Sequence, residues 1–162
     1  MTPGGGGGTT WPEPIPGLVV RYAYLWEREA AAGREEGTKE RPCAVVIAVE
    51  GAAAQEARGV GRRRRVLVLP VTHSEPRPPG EEGVELPPQV KALLGLDEAR
   101  SWVVVSEAND FAWPGPDLRP APGGGPGSAA YGVMPPGLFR VVRDRFLARA
   151  RARRAALVAR TE

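Results

Sequence analysis

The chain has one cysteine, Cys43, and one histidine, His73, in 162 residues. A single thiol excludes an internal disulfide and fits a reducing, cytoplasmic compartment. One histidine with one cysteine cannot make the usual zinc ligand sets, so neither a metal nor another cofactor is expected. Aromatic residues are few. No apolar run approaches the ~20 residues of a membrane span. The opening stretch, MTPGGGGGTT, lacks the basic start and apolar core of a signal peptide. The glycine runs lack the Gly-Lys-Ser/Thr ending of a phosphate loop and read as linkers. No internal repeat is visible.

What is present has room for one domain with a core. Glycine and proline are plentiful, 21 and 18 residues, and their clusters mark where the chain turns. Residues 1–14 read as a disordered Gly/Pro-rich tail. Residues 15–162 read as a single domain with flexible insertions near 27–40, 50–61 and 114–130. The net charge of +3 is mild, but four arginines stand together at Arg62–Arg65. Such a cluster implies a polyanionic partner or a solvated strand start.

Several stretches read as strands. Gly17–Trp26 is rich in β-branched and aromatic residues. Cys43–Val49 is a continuous apolar run, as of a strand buried on both faces. Arg65–Thr72 is short, β-branched and closed by Pro70. Val84–Leu86, Ser101–Ser106 and Tyr131–Met134 read as further short strands. Pro87-Pro88 opens a short helix over Gln89–Leu94, which Gly95 ends. A last helix is expected over about Leu138–Val158, with Leu138, Val142, Phe146 and Ala150 on one face and arginines elsewhere. Strands joined by loops rather than helices exclude a doubly wound parallel sheet. The expected fold is mainly β: a small twisted barrel of antiparallel strands, with a short helix and a C-terminal amphipathic helix.

The order of pieces resembles a known family. A strand begins at Pro16-Gly17-Leu18, a charged loop follows, and Arg41-Pro42 leads into the second strand. The third strand ends in Pro70-Val71-Thr72, with Ser74 close by. This is similar to the PemK/MazF family of bacterial toxins, over roughly Pro16 to Thr72. The resemblance implies an SH3-like barrel working as a homodimer. It also implies an mRNA interferase, an endoribonuclease that cuts single-stranded RNA and is neutralised by an acidic antitoxin protein. By the same resemblance, Arg41 contacts phosphate and Thr72 lines the site. Two features depart from the pattern. Val104–Ala108 has no arginine where some members carry an Arg and an Asp as acid and base, and Asn109–Leu118 is not typical.

Metal-free RNA cleavage needs a base for the 2′-hydroxyl, an acid for the leaving 5′-oxygen and a cation for the added phosphate charge. A guanidinium suits the last task because it donates two bonds in one plane. The expected catalytic residues are Arg41, Thr72 and His73. Expected RNA contacts are Ser74, Arg65, Glu107 and Trp113, with Glu107 a second possible base and Trp26 or Phe111 other stacking surfaces. Each has a plainer reading: Arg41 as a loop charge, His73, Thr72 and Ser74 as turn residues, Arg65 as a solvated strand start and Trp113 as core. Two other functions stay open: a non-catalytic relative that binds protein or nucleic acid, and an accessory protein with a solvated basic helix.

Overall fold

The structure is a computed structural model that describes residues 11–35, 37, 39–51, 63–121, 130–152 and 154–160. In chain order its elements are β1 (Leu18–Tyr22), α1 (Glu27–Ala31), β2 (Arg41–Gly51), β3 (Arg63–Thr72), β4 (Gly83–Glu85), α2 (Pro88–Leu93), β5 (Trp102–Val104), β6 (Glu107–Trp113), β7 (Leu118–Arg119), β8 (Ala130–Val133), α3 (Pro136–Arg151) and β9 (Ala156–Ala159). The fold is mainly β, as the sequence predicts. The nine strands form one sheet with the path β4-β5-β3-β2-β1-β7, from which β6 branches off β3 and β8 off β1. Among the described residues this path does not close into a ring.

Alternation along β1, β2 and β3 explains why the sheet is covered on both faces. Val19, Ala44, Val46, Leu69 and Val71 face one cluster, and Val20, Cys43, Val45, Val66 and Val68 face the other. Successive strand residues point to opposite sides, so both sets must find cover. Val142 and Phe146 of α3, with Met134 and Leu94, cover the first face. Tyr22, Tyr24, Trp26, Phe111 and Trp113 cover the second. In β2 the register slips between Val45 and Ile47. Val46 and Ile47 therefore both pack on the first cluster, and the strand bends there.

β3 forks. Its first half, Arg64–Val68, pairs with β6, while Val71 and Thr72 pair with β5. The break falls at Val105-Ser106, between two strands that sequence pattern alone does not separate. The first half of the atypical Asn109–Leu118 motif, Asn109–Trp113, lies in β6, and Leu118 begins β7. The expected insertion at 114–130 includes an ordered piece, because β7 pairs with β1 through Tyr22↔Leu118 and Arg21↔Arg119; residues 122–129 lie outside the described residues. So do 1–10 of the expected tail and 52–62 of the second insertion. Trp11–Pro14 lie against the body: the Trp113 indole N–H donates to the Pro12 carbonyl at 3.1 Å, and Glu13 pairs with Arg64 at 3.1 Å.

The expected helix to Val158 stops at Arg151, and Ala156–Ala159 becomes β9, parallel to β6. The physical reason is that the helical stripe ends at Ala150. Beyond it, Val158 is buried while Leu157 and Ala159 are exposed, a strand alternation. At the end of β9 lies Arg160, 5% exposed. Its guanidinium donates to the Tyr22 hydroxyl (3.0 Å), the Ala23 carbonyl (2.9 Å), the Asn109 Oδ1 (2.9 Å) and the Asp117 carboxylate (2.7 Å). Asn109, fully buried, in turn brackets Leu25, accepting from its N–H at 2.9 Å and donating to its carbonyl at 2.8 Å.

Removing one partner of a buried charge pair leaves the rest desolvated and unpaired. Arg160→Met is expected to cost about 3–5 kcal/mol, read as a lower urea midpoint at unchanged slope. A loss below about 1 kcal/mol would put this pair with ordinary surface pairs.

Candidate functional site

An open groove of about 370 Å³ lies where four segments meet. Trp26, just before α1, and Arg28 and Glu29 within α1 supply one side. The start of β2 supplies Lys39 and Arg41, the end of β3 supplies Thr72, His73 and Ser74, and the β5–β6 junction supplies Ser106 and Glu107. Strand register explains the central meeting. Cys43 pairs with Pro70, so two residues further out Arg41 comes level with Thr72. The Arg41 guanidinium donates to the Val71 carbonyl at 3.3 Å.

Arg41 is held on an aromatic surface. Its guanidinium carbon lies 5.0 Å from the Trp26 ring centre, and that of Arg28 lies 5.1 Å from the same ring. Cations over an indole face are attracted by its quadrupole. Burial depresses the Arg41 pKa, and the charge of Arg28 acts the same way while that of Glu29 opposes it. The Arg41 Nε is buried and has no hydrogen-bond partner among the described residues. A buried donor left unmade is costly, and such groups concentrate where a ligand completes them.

Glu107 lies on another side of the groove. Its Oε2 accepts from the Tyr24 hydroxyl at 3.0 Å and from the Glu27 N–H at 2.9 Å. Burial raises its pKa above the ordinary carboxylate value, and those two bonds pull against the rise. Tyr24 is pushed well above its usual value by burial and then by the Glu107 charge. It stays a neutral donor.

His73 is largely exposed and is oriented from behind. Its Nε2 lies 2.9 Å from one Asp97 oxygen and 3.2 Å from the other. Asp97 is itself clamped: buried Lys91 donates to its Oδ1 at 2.7 Å, to the Ser101 hydroxyl at 2.7 Å and to the Ala99 carbonyl. The bond from Lys91 holds the Asp97 carboxyl below its usual pKa. A smaller cavity of about 130 Å³ joins this cluster to Arg41, Thr72 and His73. Thr72 Oγ1 accepts from the Ser74 N–H at 3.1 Å, which turns the chain just after β3.

Arg41, Thr72, His73, Ser74 and Glu107, expected from sequence, thus line one groove. Arg65 and Trp113 do not. Arg65 sits seven residues before Thr72, roughly 23 Å along the strand, and its guanidinium is taken by Asp110 at 2.9 Å. Trp113 is core, 8% exposed, stacked on Phe111. Phe111 and Trp26 are buried too, at 1% and 9%. None of the three tryptophan and phenylalanine rings expected to stack bases offers an open face. Arg28, Lys39, Lys91 and Asp97 were not foreseen. Only the spacing of Lys91 and Asp97 around the helix-ending Gly95 hints at their meeting.

Among the described residues no group of three or more His, Cys, Asp or Glu is placed to hold a metal ion, and no helix is long and apolar enough to cross a membrane. Compared with known proteins, the chain matches no family model, no curated protein and no solved structure.

Lys91→Met is expected to release Asp97 and the turn it holds, with a stability loss of about 1–3 kcal/mol. Hydrogen exchange is the check: the Ala99 amide, bonded to Asp97 Oδ1 at 3.1 Å, should lose protection while the amides of β2 keep theirs.

Proposed function

We propose that the chain is an endoribonuclease of the PemK/MazF type that cuts single-stranded RNA in this groove. The observation that carries the proposal is Arg41, a half-buried cation whose Nε has no partner and which no carboxylate bonds among the described residues, level with Thr72 and in one groove with His73 and Glu107. A desolvated guanidinium of this kind is suited to an anion whose charge grows in the transition state.

The chemistry follows from the residues present. The 2′-hydroxyl loses its proton as its oxygen bonds to the adjacent phosphorus. The bond from phosphorus to the 5′-oxygen breaks, and that oxygen takes up a proton. The products are a 2′,3′-cyclic phosphate and a 5′-hydroxyl. Glu107, lifted by burial, serves as base. His73, oriented by Asp97, serves as acid. Arg41 stabilises the phosphate oxygens, and the Thr72 and Ser74 hydroxyls donate to them. The toxin reading extends to a homodimer in the cytoplasm and to an acidic antitoxin. Light scattering and a small acidic reading frame beside the gene are the checks.

One observation favours a non-catalytic binding role on the same fold. Val104 and Val105, in the stretch where some family members carry an arginine, are buried apolar residues at 5% and 0% exposure. Both roles require the groove to bind RNA, and only the first requires it to cut.

Purified protein incubated with mixed single-stranded RNA separates them. Cleavage is expected, with Arg41→Ala slower by on the order of 10²–10³. No cleavage by the wild type, with no growth arrest on expression, leaves the binding role. Because burial raises Glu107, the base is active only above its shifted pKa. The rate should therefore climb with pH through a value above the ordinary ~4.3 of glutamate. Glu107→Gln should abolish that limb and slow cleavage by on the order of 10²–10⁴.

A further inference from the structure

The groove's charges are arranged unequally. Three carboxylates line the groove, Glu29, Glu81 and Glu107, and each accepts from a neutral donor: Glu29 from the Trp26 N–H, Glu81 from the Arg77 N–H, and Glu107 from the Tyr24 hydroxyl and the Glu27 N–H. Its three cations, Arg28, Lys39 and Arg41, pair with no carboxylate among the described residues. Elsewhere on the molecule Arg65, Arg100, Arg119, Arg149 and Arg160 each do. Two of the groove's cations share one indole, with guanidinium carbons no more than about 10 Å apart. Arg28 and Arg41 repel each other, the Glu29 charge acts against that repulsion from a distance, and neither guanidinium is bonded to it among the described residues, so each keeps donors free for an anion.

The geometry points to a second phosphate subsite at Arg28, beside the one at Arg41, so that the groove grips two phosphates of one polynucleotide strand. The inference rests on the groove being a polynucleotide site, as proposed above, but not on its cutting the strand. Trp26 is the spacer. Buried between the chain and its two guanidiniums, it fixes where the cations stand rather than stacking on a base. Sequence preference would then come from groups other than an aromatic platform, while affinity comes from backbone phosphates. The subsite also sets a minimal ligand: one internucleotide phosphate with a second phosphate next to it on the strand.

Calorimetry with 2′-deoxy ligands, which cannot be cut by 2′-hydroxyl attack, tests the subsite apart from the chemistry. The probes are a deoxydinucleoside monophosphate and the same molecule carrying an added 5′- or 3′-phosphate. The wild type is expected to bind one of the two-phosphate ligands about tenfold more tightly than the one-phosphate ligand. Arg28→Ala, an exposed change, should erase that gain, and Arg145→Ala on the far helix should leave it. With a longer deoxyoligonucleotide, Arg28→Ala should also lower the salt slope by about 0.7. No gain from the second phosphate in the wild type, or a gain that survives in Arg28→Ala, overturns the subsite. Binding with the expected gain but no RNA cleavage keeps the subsite and removes the nuclease.

Discussion

The Arg160 guanidinium is the constraint on which the groove depends. Through Asn109 it reaches the backbone of Leu25, and Leu25 is the residue before Trp26. Trp26 supports Arg28 and Arg41. A chain of buried polar contacts thus runs from the last strand to the cations of the groove. Each contact is satisfied, which is the condition under which a buried charge fixes one arrangement instead of destabilising the core. The network is costly to break at any point, because every member was taken out of water to form it.

A second theme is support from behind. Arg41 is set by Trp26 and Val71, His73 by Asp97 and Lys91, and Glu107 by Tyr24 and Glu27. In each case the group facing the groove is held by neighbours within the fold. That is how a rigid sheet makes a site from long side chains without spending much of their rotamer freedom at the moment of binding.

The sequence carried the β-rich fold well because the central strands announce themselves. Cys43–Val46 and Val66–Leu69 are apolar on both faces and covered on both, whereas Val49, at the far end of the run expected to be buried, is 54% exposed. It also carried the meeting of Arg41 with Thr72, since two antiparallel neighbours with their ends in register leave little choice. What was not legible depends on distant contacts. Arg160 reads as one more arginine in a basic tail, and its partners Tyr22 and Ala23 lie 138 and 137 residues away. β9 was hidden because a basic Ala/Arg run continues a helix by propensity, and only the parallel pairing to β6 makes it a strand. Trp113 and Arg65 were misplaced for one reason: exposure is not written in residue type. Trp113 is covered partly by Pro12, and Arg65 is taken by Asp110.

Order of synthesis gives Arg160 another significance. Asn109 leaves the ribosome 51 residues ahead of the arginine that completes it. At roughly 5–20 residues per second that is a lag of about 3–10 s. During the lag the sheet has its central strands, but the segment leading to Trp26 lacks its anchor. Trp26, and with it Arg28 and Arg41, gains its full support only once β9 has paired with β6.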